Sequence, residues 1–443
     1  MRHWQQDHET AGKLSMEVLL YLVNALLLAG LVWLLYRQQD LQSIKKHLLP
    51  ALALKLLAGV LLGLLYHHYY REGDTITFKN ASLILSDYAR QNLGGYSKLI
   101  LFNAFESEAF RATIPFSRLP NFSNSFFFIK ILSLLNLLTN GQYYLNALYL
   151  SLFSFWGTAT LVAVLAKHIP KYKMAVLLAF LYLPSVVFWS SGVLKDAILF
   201  GCLCWVIATA VRLAEVRRLS ITSWVLLPFM LYVFVRIKFF LGLIAIPLFL
   251  LYILVKVMAA KTSLLKYVWQ QHLALLLGFG LVGMLGLYFV LGYNNAFFFN
   301  NLVDTYEGIL KLSQDKPHIQ FDQLEPSISS FLLNAPEALF SAVFRPFVWE
   351  AVNALYLFMA LENLLILGLA ILAAISLFRN GLKELTPLQL AFILLVVSFG
   401  VIIGLSTPNF GTLSRYRIVF LPFLVYLVLQ NRYAIKLLAK LRL

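Results

Sequence analysis

The chain has 443 residues, of which 60% are hydrophobic, 15% aromatic and only 13% charged. Soluble globular domains carry roughly 25% charged residues, so this composition cannot cover a water-facing surface and excludes a soluble protein. The formal net charge of +16 does not point to nucleic acid, because in a membrane chain Lys and Arg collect in cytoplasmic loops.

A membrane span needs about 20 mostly apolar residues. Stretches of that kind run over 16–36, 48–66, 143–166, 174–190, 197–213, 221–235, 239–257, 268–291, 354–378, 386–405 and 417–431. The expected fold is an all-α integral membrane protein, one polytopic domain over 1–443 with about 11 transmembrane helices. The start, MRHWQQDHETAGKLSMEV, has no basic n-region and no small-residue cleavage site, so Met16–Tyr36 reads as a retained span rather than a signal peptide. Cys202 and Cys204 lie inside an apolar run. As C-x-C on a helix they fall on different faces, which suits core packing rather than metal or redox chemistry.

The short connections set the orientation. Arg37, Lys45 and Lys46 separate the first two spans, and Lys167, Lys171 and Lys173 follow the third. Arg212, Arg217 and Arg218 follow the fifth, Lys256, Lys261 and Lys266 the seventh, and Arg379 and Lys383 the ninth. Arg432, Lys436, Lys440 and Arg442 come last. Every second connection is basic, which places those connections and the C-terminus in the cytoplasm and the N-terminus outside. One apolar stretch, Phe126–Leu138, is too short to span and carries Lys130. Counting it would break the alternation, so it reads as an interfacial or re-entrant helix. Two long outer loops remain, 67–142 and 292–353, the first expected to hold amphipathic helices. No internal repeat is visible, unlike an inverted-repeat transporter.

The unusual polar motifs then fall on the outer side: HHYYREGDT from His67, FWSSGVLKDA over Phe188–Ala197, VRIKFF over Val235–Phe240, FRPFVWEA over Phe344–Ala351, and GTLSRYRI over Gly411–Ile418. Only cytoplasmic loops set the orientation, so this clustering is an independent sign of a site at the outer water–lipid boundary. Asp74 follows Gly73, which lets backbone or substrate come close. Lys195, Arg236, Lys238, Arg345, Arg415 and Arg417 are cations at interface depth, where an anionic partner is the usual reason for them. Arginine forks suit phosphate oxygens. Tyr69, Tyr70, Trp189, Phe347, Trp349 and Tyr416 suit sugar stacking or an interfacial aromatic belt. A carboxylate beside phosphate binders suits transfer of a sugar from a lipid-linked phosphate, the carboxylate acting as general base and the cations stabilising the leaving phosphate.

Plainer readings stand beside these. Asp74 followed by Thr75 also fits an acid at a helix start. Asp196 also fits an ion pair with Lys195 or a helix N-terminal acid, and Arg345-Pro346 a helix anchor. Glu362 is the clear acid within a span, a site for function or for a hydrogen bond to a neighbouring helix. Asn80-Ala-Ser and Asn121-Phe-Ser match the glycosylation pattern by chance. His67 and His68 lack a third ligand at metal spacing; the cofactor is left unknown, and ligand spacing lends a divalent cation no support.

The layout resembles the GT-C superfamily of membrane glycosyltransferases, which includes protein mannosyltransferases and bacterial polysaccharide-synthesis enzymes. The resemblance rests on YREGDTITF, FWSSGVLKDAILF, SRYRIVFLPFL and PEALFSAVFRPFVWEAVNALYLFMALEN. It implies Asp74 and Asp196 as catalytic acids. It also implies a polyprenyl-phosphate sugar donor, and the absence of a D-x-D motif or Rossmann-like alternation agrees. Lys195, Arg236, Arg345, Arg415, Tyr416 and Arg417 are the expected substrate and phosphate binders. The expected partners are that donor and membrane lipids, with no nucleic acid. The expected place is a cell membrane crossed many times, a bacterial cytoplasmic membrane by the resemblance, with the site facing the periplasm. The chain departs from the commonest pattern by an extra first span and lacks the large soluble C-terminal domain of oligosaccharyltransferases. An O-antigen-type polymerase, through Ser414–Arg417, and a transporter or flippase of lipid-linked sugar, through Lys55 and Glu362, are the alternatives.

Overall fold

The computed structural model describes residues 2–216, 219–380 and 385–440. The basic positions Arg217, Arg218, Lys383 and Arg442 lie outside the described residues. Among those described, all regular elements are helical. In chain order they are α1 (Arg2–Arg37), α2 (Lys45–Leu64), α3 (Asp74–Gln91), α4 (Leu93–Phe102), α5 (Glu108–Ala112), α6 (Asn124–Thr139), α7 (Tyr143–His168), α8 (Lys173–Leu177), α9 (Pro184–Trp189) and α10 (Lys195–Ala214). There follow α11 (Ile221–Ile237), α12 (Phe239–Lys261), α13 (Val268–Lys311), α14 (Ile328–Phe344), α15 (Ala354–Asn380), α16 (Pro387–Ser406), α17 (Phe410–Tyr416), α18 (Leu421–Val428) and α19 (Arg432–Lys440).

Among the described residues, eight helices are long and apolar enough to cross a membrane, nine if the bent pair Phe410–Val419 and Leu421–Val428 counts as one crossing. That is an integral membrane protein, but three of the expected spans are not single long helices. The stretch over 174–190 breaks into α8, a π-turn at Leu178–Tyr182 and α9. Pro184 disfavours helical backbone in the residue before it, and Leu183 is extended at φ −66°, ψ 117°. The stretch over 221–235 forms α11, whose 17 residues enclose Pro228. The last stretch bends by 68° where Phe420 leaves the helical region just before Pro422. The helix expected to end near 291 instead runs on to Lys311, so the second long loop begins inside a helix.

Local chemistry explains many of the boundaries. Side chains of Asn92, Ser107, Ser123, Ser327, Thr386 and Asn409 each accept a backbone N–H in the first turn of the helix they precede. Such caps satisfy donors that have no partner within the helix. Asn103 and Asn140 close α4 and α6 in the left-handed region, which asparagine tolerates better than most residues.

The chain forms two compact units. The first comprises 1–159, 190–201 and 236–238. Here α3 packs on α6, burying Phe78, Ala81, Leu85 and Tyr88. Residues Ser125–Lys130 of α6 are buried without interruption, so its amino half is enclosed on every side. A chain of buried amides and hydroxyls crosses this unit. Asn136 donates to Ser82 at 2.9 Å, Asn146 to Asn136 at 2.6 Å, and Thr139 to Asn146 at 2.6 Å. Close by, Tyr149 donates to Asn24 at 2.9 Å, and Asn24 to the Leu138 carbonyl at 3.3 Å. At Gly157 of α7, an added Cβ would lie 2.1 Å from the Gly201 carbonyl oxygen of α10, so the backbones touch there.

The second unit comprises 160–189, 202–235 and 239–443. In it α16 packs against α12, α13, α14 and α18 and buries Phe392, Leu395, Phe399 and Ile403. At Gly404 an added Cβ would fall 2.2 Å from the Ala338 carbonyl oxygen, which brings α14 and α16 into backbone contact.

Candidate functional site

In the first unit the turn that carries HHYYREGD is a π-turn over Leu65–Tyr70 followed by two left-handed residues, Arg71 at φ 59° and Gly73 at φ 127°. An added Cβ at Gly73 would lie 2.9 Å from the Tyr66 ring, so glycine is required there by both backbone and neighbour. Asp74 opens α3, half-buried, at the end of the helix that favours negative charge. Thr75 shares a 2.6 Å hydrogen bond with the Tyr143 hydroxyl, and His67 meets the Tyr143 ring edge-on at 4.7 Å. These contacts fix the start of α3 against α7.

Lys195 and Asp196 begin α10. The Lys195 ammonium donates to Asn124 Oδ1 at 3.2 Å and Ser125 Oγ at 3.0 Å, and lies 5.1 Å from the Phe78 ring centroid. Phe78 is one helical turn after Asp74, and a helical side chain covers the turn on its amino side. Lys195 therefore sits over the face of α3 that carries Asp74. Lys195, more than a hundred residues away in sequence, thus lies against the first turns of the helix that Asp74 opens. Asp196 is buried in the first turn of α10. Arg236 donates to the Asn121 carbonyl and stacks over Phe127 at 5.1 Å. Lys55, the cation inside an expected span, is buried and donates to Ser190 of the FWSSG turn.

The remaining candidates belong to the second unit. Arg345 is gripped by Glu350, its Nε at 2.9 Å and its Nη2 on the same oxygen. It also donates to the His318 carbonyl at 3.3 Å and stacks over Phe410 at 5.1 Å. Arg417 is 0% exposed. Its Nη1 donates to the Arg345 carbonyl at 3.5 Å, and its Nη2 lies 3.9 Å from Glu362 Oε1. Glu362 is held by Ser185, whose backbone N–H donates at 3.0 Å and whose hydroxyl donates to the other oxygen. Asn363 donates to the Pro346 carbonyl at 3.0 Å, so Arg417 and Asn363 bind adjacent carbonyls. Arg415 lies over the Tyr416 ring at 5.1 Å and donates to its hydroxyl at 3.4 Å. Arg345 and Arg417 thus come together, each beside a carboxylate.

Several participants are absent from the sequence-based choice. Glu350 stands five residues after Arg345 in the same motif, a visible signal. Ser185, Asn124 and Ser125 gave none, because short polar residues are common and only tertiary contact selects them. Lys130 was conspicuous as a cation in an apolar stretch. Among the described residues no three His, Cys, Asp or Glu side chains are grouped to hold a metal ion. Comparison with protein-family models, with curated proteins and with solved structures found no match to this chain.

Proposed function

We propose that the chain is a membrane-embedded glycosyltransferase that moves a sugar from a polyprenyl-phosphate-linked donor to an acceptor hydroxyl. The supporting observation is that the Lys195 ammonium lies over Phe78, one turn into the helix that the half-buried carboxylate Asp74 opens. In the reaction, Asp74 takes the proton of the acceptor hydroxyl and the oxygen attacks the anomeric carbon. The bond from that carbon to the phosphate oxygen breaks, and the oxygen leaves with the electron pair, its charge met by Lys195. The alternation of basic connections supports eleven crossings, with α8–α9 and α11 as the short ones, and a non-cytoplasmic position for this end of α3; the resemblance supports a bacterial cytoplasmic membrane.

Asp74→Asn tests the reading, because asparagine is nearly isosteric and equally suited to a helix start. Purified, monodisperse variant given a polyprenyl-phosphate sugar should lose on the order of 10²–10⁴-fold in transfer rate. Near-normal turnover returns Asp74 to a structural role.

One observation favours a transporter of lipid-linked sugar as the second reading. Glu362 and Arg417 form a buried ion pair, with Glu362 held from α9 beside the broken α8–α9 segment and Arg417 at the bend before α18. Interrupted helices around buried charges are how transporters build substrate sites. Transport in proteoliposomes that survives Asp74→Asn and is lost in Glu362→Gln would select it.

A further inference from the structure

Three cations are strung along the amino end of α6. Lys130 donates to the Ile100 carbonyl at 2.9 Å and to Asn103 Oδ1 at 2.7 Å. Asn103 in turn donates to Asn121 Oδ1, and the Asn121 carbonyl is the acceptor of Arg236. Lys130 and Arg236 are therefore moored to one asparagine pair. Lys195 joins them through Asn124 and Ser125, and Asn124 also donates to the carbonyl of Ile237, the residue after Arg236, at 3.1 Å. Phe126 lies 5.6 Å from the Lys130 ammonium and Phe127 lies 5.1 Å from the Arg236 guanidinium.

Among the described residues, the acceptors of Lys130 and Arg236 are neutral: carbonyl and amide oxygens and ring faces, with no carboxylate. Lys130 is only 8% exposed, and burial together with the nearby Arg236 pushes its amine down to about 8. Gathering like charges in a partly desolvated place is unfavourable for the protein alone and becomes favourable around an anion. The helix end adds its own positive potential.

The surroundings say what carries the anion. Asn103 and Asn121 stand beside Phe102 and Phe122, which are 76% and 83% exposed, and Leu101 and Leu119 are exposed as well. A cationic cluster edged by exposed apolar side chains fits a charged head on a hydrocarbon chain better than a free ion. A guanidinium fork and two ammonium groups suit phosphate oxygens.

We propose that Lys130, Arg236 and Lys195 form the binding site for the phosphate of an isoprenoid-linked donor, with Phe102 and Phe122 meeting the first part of its chain. The identity of the donor rests on the transferase reading; the anion site does not.

The test is direct binding to the full chain, purified in nanodiscs of phosphatidylcholine. The probes are geranyl phosphate, geraniol, inorganic phosphate and added phosphatidylglycerol. Geranyl phosphate should bind, while geraniol and inorganic phosphate should each bind at least about 10-fold more weakly. Arg236→Gln should weaken geranyl phosphate about 10- to 100-fold, the worth of a charged hydrogen bond. Arg236→Lys should retain part of the affinity. Lys130→Gln is the second variant; Arg236 is only half-buried, so its variants report even where Lys130→Gln does not fold. Affinity unchanged within about 3-fold in Arg236→Gln overturns the site. So does phosphatidylglycerol competing as well as geranyl phosphate, which would mark a bulk-lipid contact. Binding that depends on Arg236 without any Asp74-dependent transfer would keep the site and defeat the transferase. Asp74-dependent transfer with Arg236-independent binding would do the reverse.

Discussion

The pair Arg417–Glu362 is the sharpest place to test the second unit. Arg417 is 0% exposed and its Nη2 is 3.9 Å from Glu362 Oε1. At that separation, with an effective dielectric of about 20, the attraction is roughly 4 kcal/mol. Both ions have also lost water, so the pair as a whole contributes far less than that. Removing one partner is another matter, because the survivor is left charged and enclosed. Arg417→Met and Glu362→Gln should each destabilise by roughly 3–5 kcal/mol. The double variant should cost much less than the sum, with a coupling energy of at least about 2 kcal/mol. Ser185 sharpens the asymmetry. It still offers two donors in Arg417→Met, so that variant should be the milder of the two. The assay is a denaturant titration of the purified protein in mixed micelles, because thermal unfolding of large chains is commonly irreversible. Single variants within about 1 kcal/mol of the parent, or a double variant equal to the sum of the singles, would refute the argument.

Other expectations follow from the same structure. Gly157→Ala should destabilise by about 1–3 kcal/mol, because the new methyl would meet the Gly201 backbone 2.1 Å away; Gly201→Ala, which meets Ser154 Cα at 3.0 Å, should be milder in the same titration. The Lys130 amine, lowered to about 8 by burial and by Arg236, binds fewer protons folded than unfolded between about pH 8 and 10.5. Stability should therefore rise with pH across that window, and Lys130→Met should flatten the rise when midpoints are compared at pH 7, 9 and 10. A cysteine at Lys98 should react with an impermeant thiol reagent from outside the cell, and one at Lys46 only after permeabilisation; the opposite pattern would invert the orientation.

The long helices were legible because about 20 apolar side chains in a row have one economical explanation, and α1, α2, α7, α12 and α16 follow it. The interruptions were not, because hydropathy counts side chains and is blind to backbone. Pro184 and Pro422 were in plain view, yet an apolar proline scores like its neighbours while removing an N–H, and Pro184 also holds Leu183 out of the helical region. The candidate site was readable as chemistry and unreadable as pairing. Asp74 and Lys195 stood out as polar residues at span ends, but that Lys195 lies over the α3 face is a tertiary fact. Arg345 stood out as a phosphate binder, while Glu350, which grips it, was passed over within the same motif. Lys130 fits no span in a hydropathy reading; the buried amino half of α6 is what gives it a place.

Asn24 has a consequence for how the first helix finds its place. The stretch Met16–Arg37 is mostly exposed, an apolar cylinder with little on its surface to fix its rotation. Asn24 is its buried amide, held by Tyr149 and by the Leu138 carbonyl. Packing among lipid-like side chains is nearly indifferent to a turn of the helix about its axis, whereas an amide facing hydrocarbon is not. The helix thus has a single compass bearing. Asn24→Leu would leave a helix that still inserts but has lost its heading, free to roll and slide against α6 and α7.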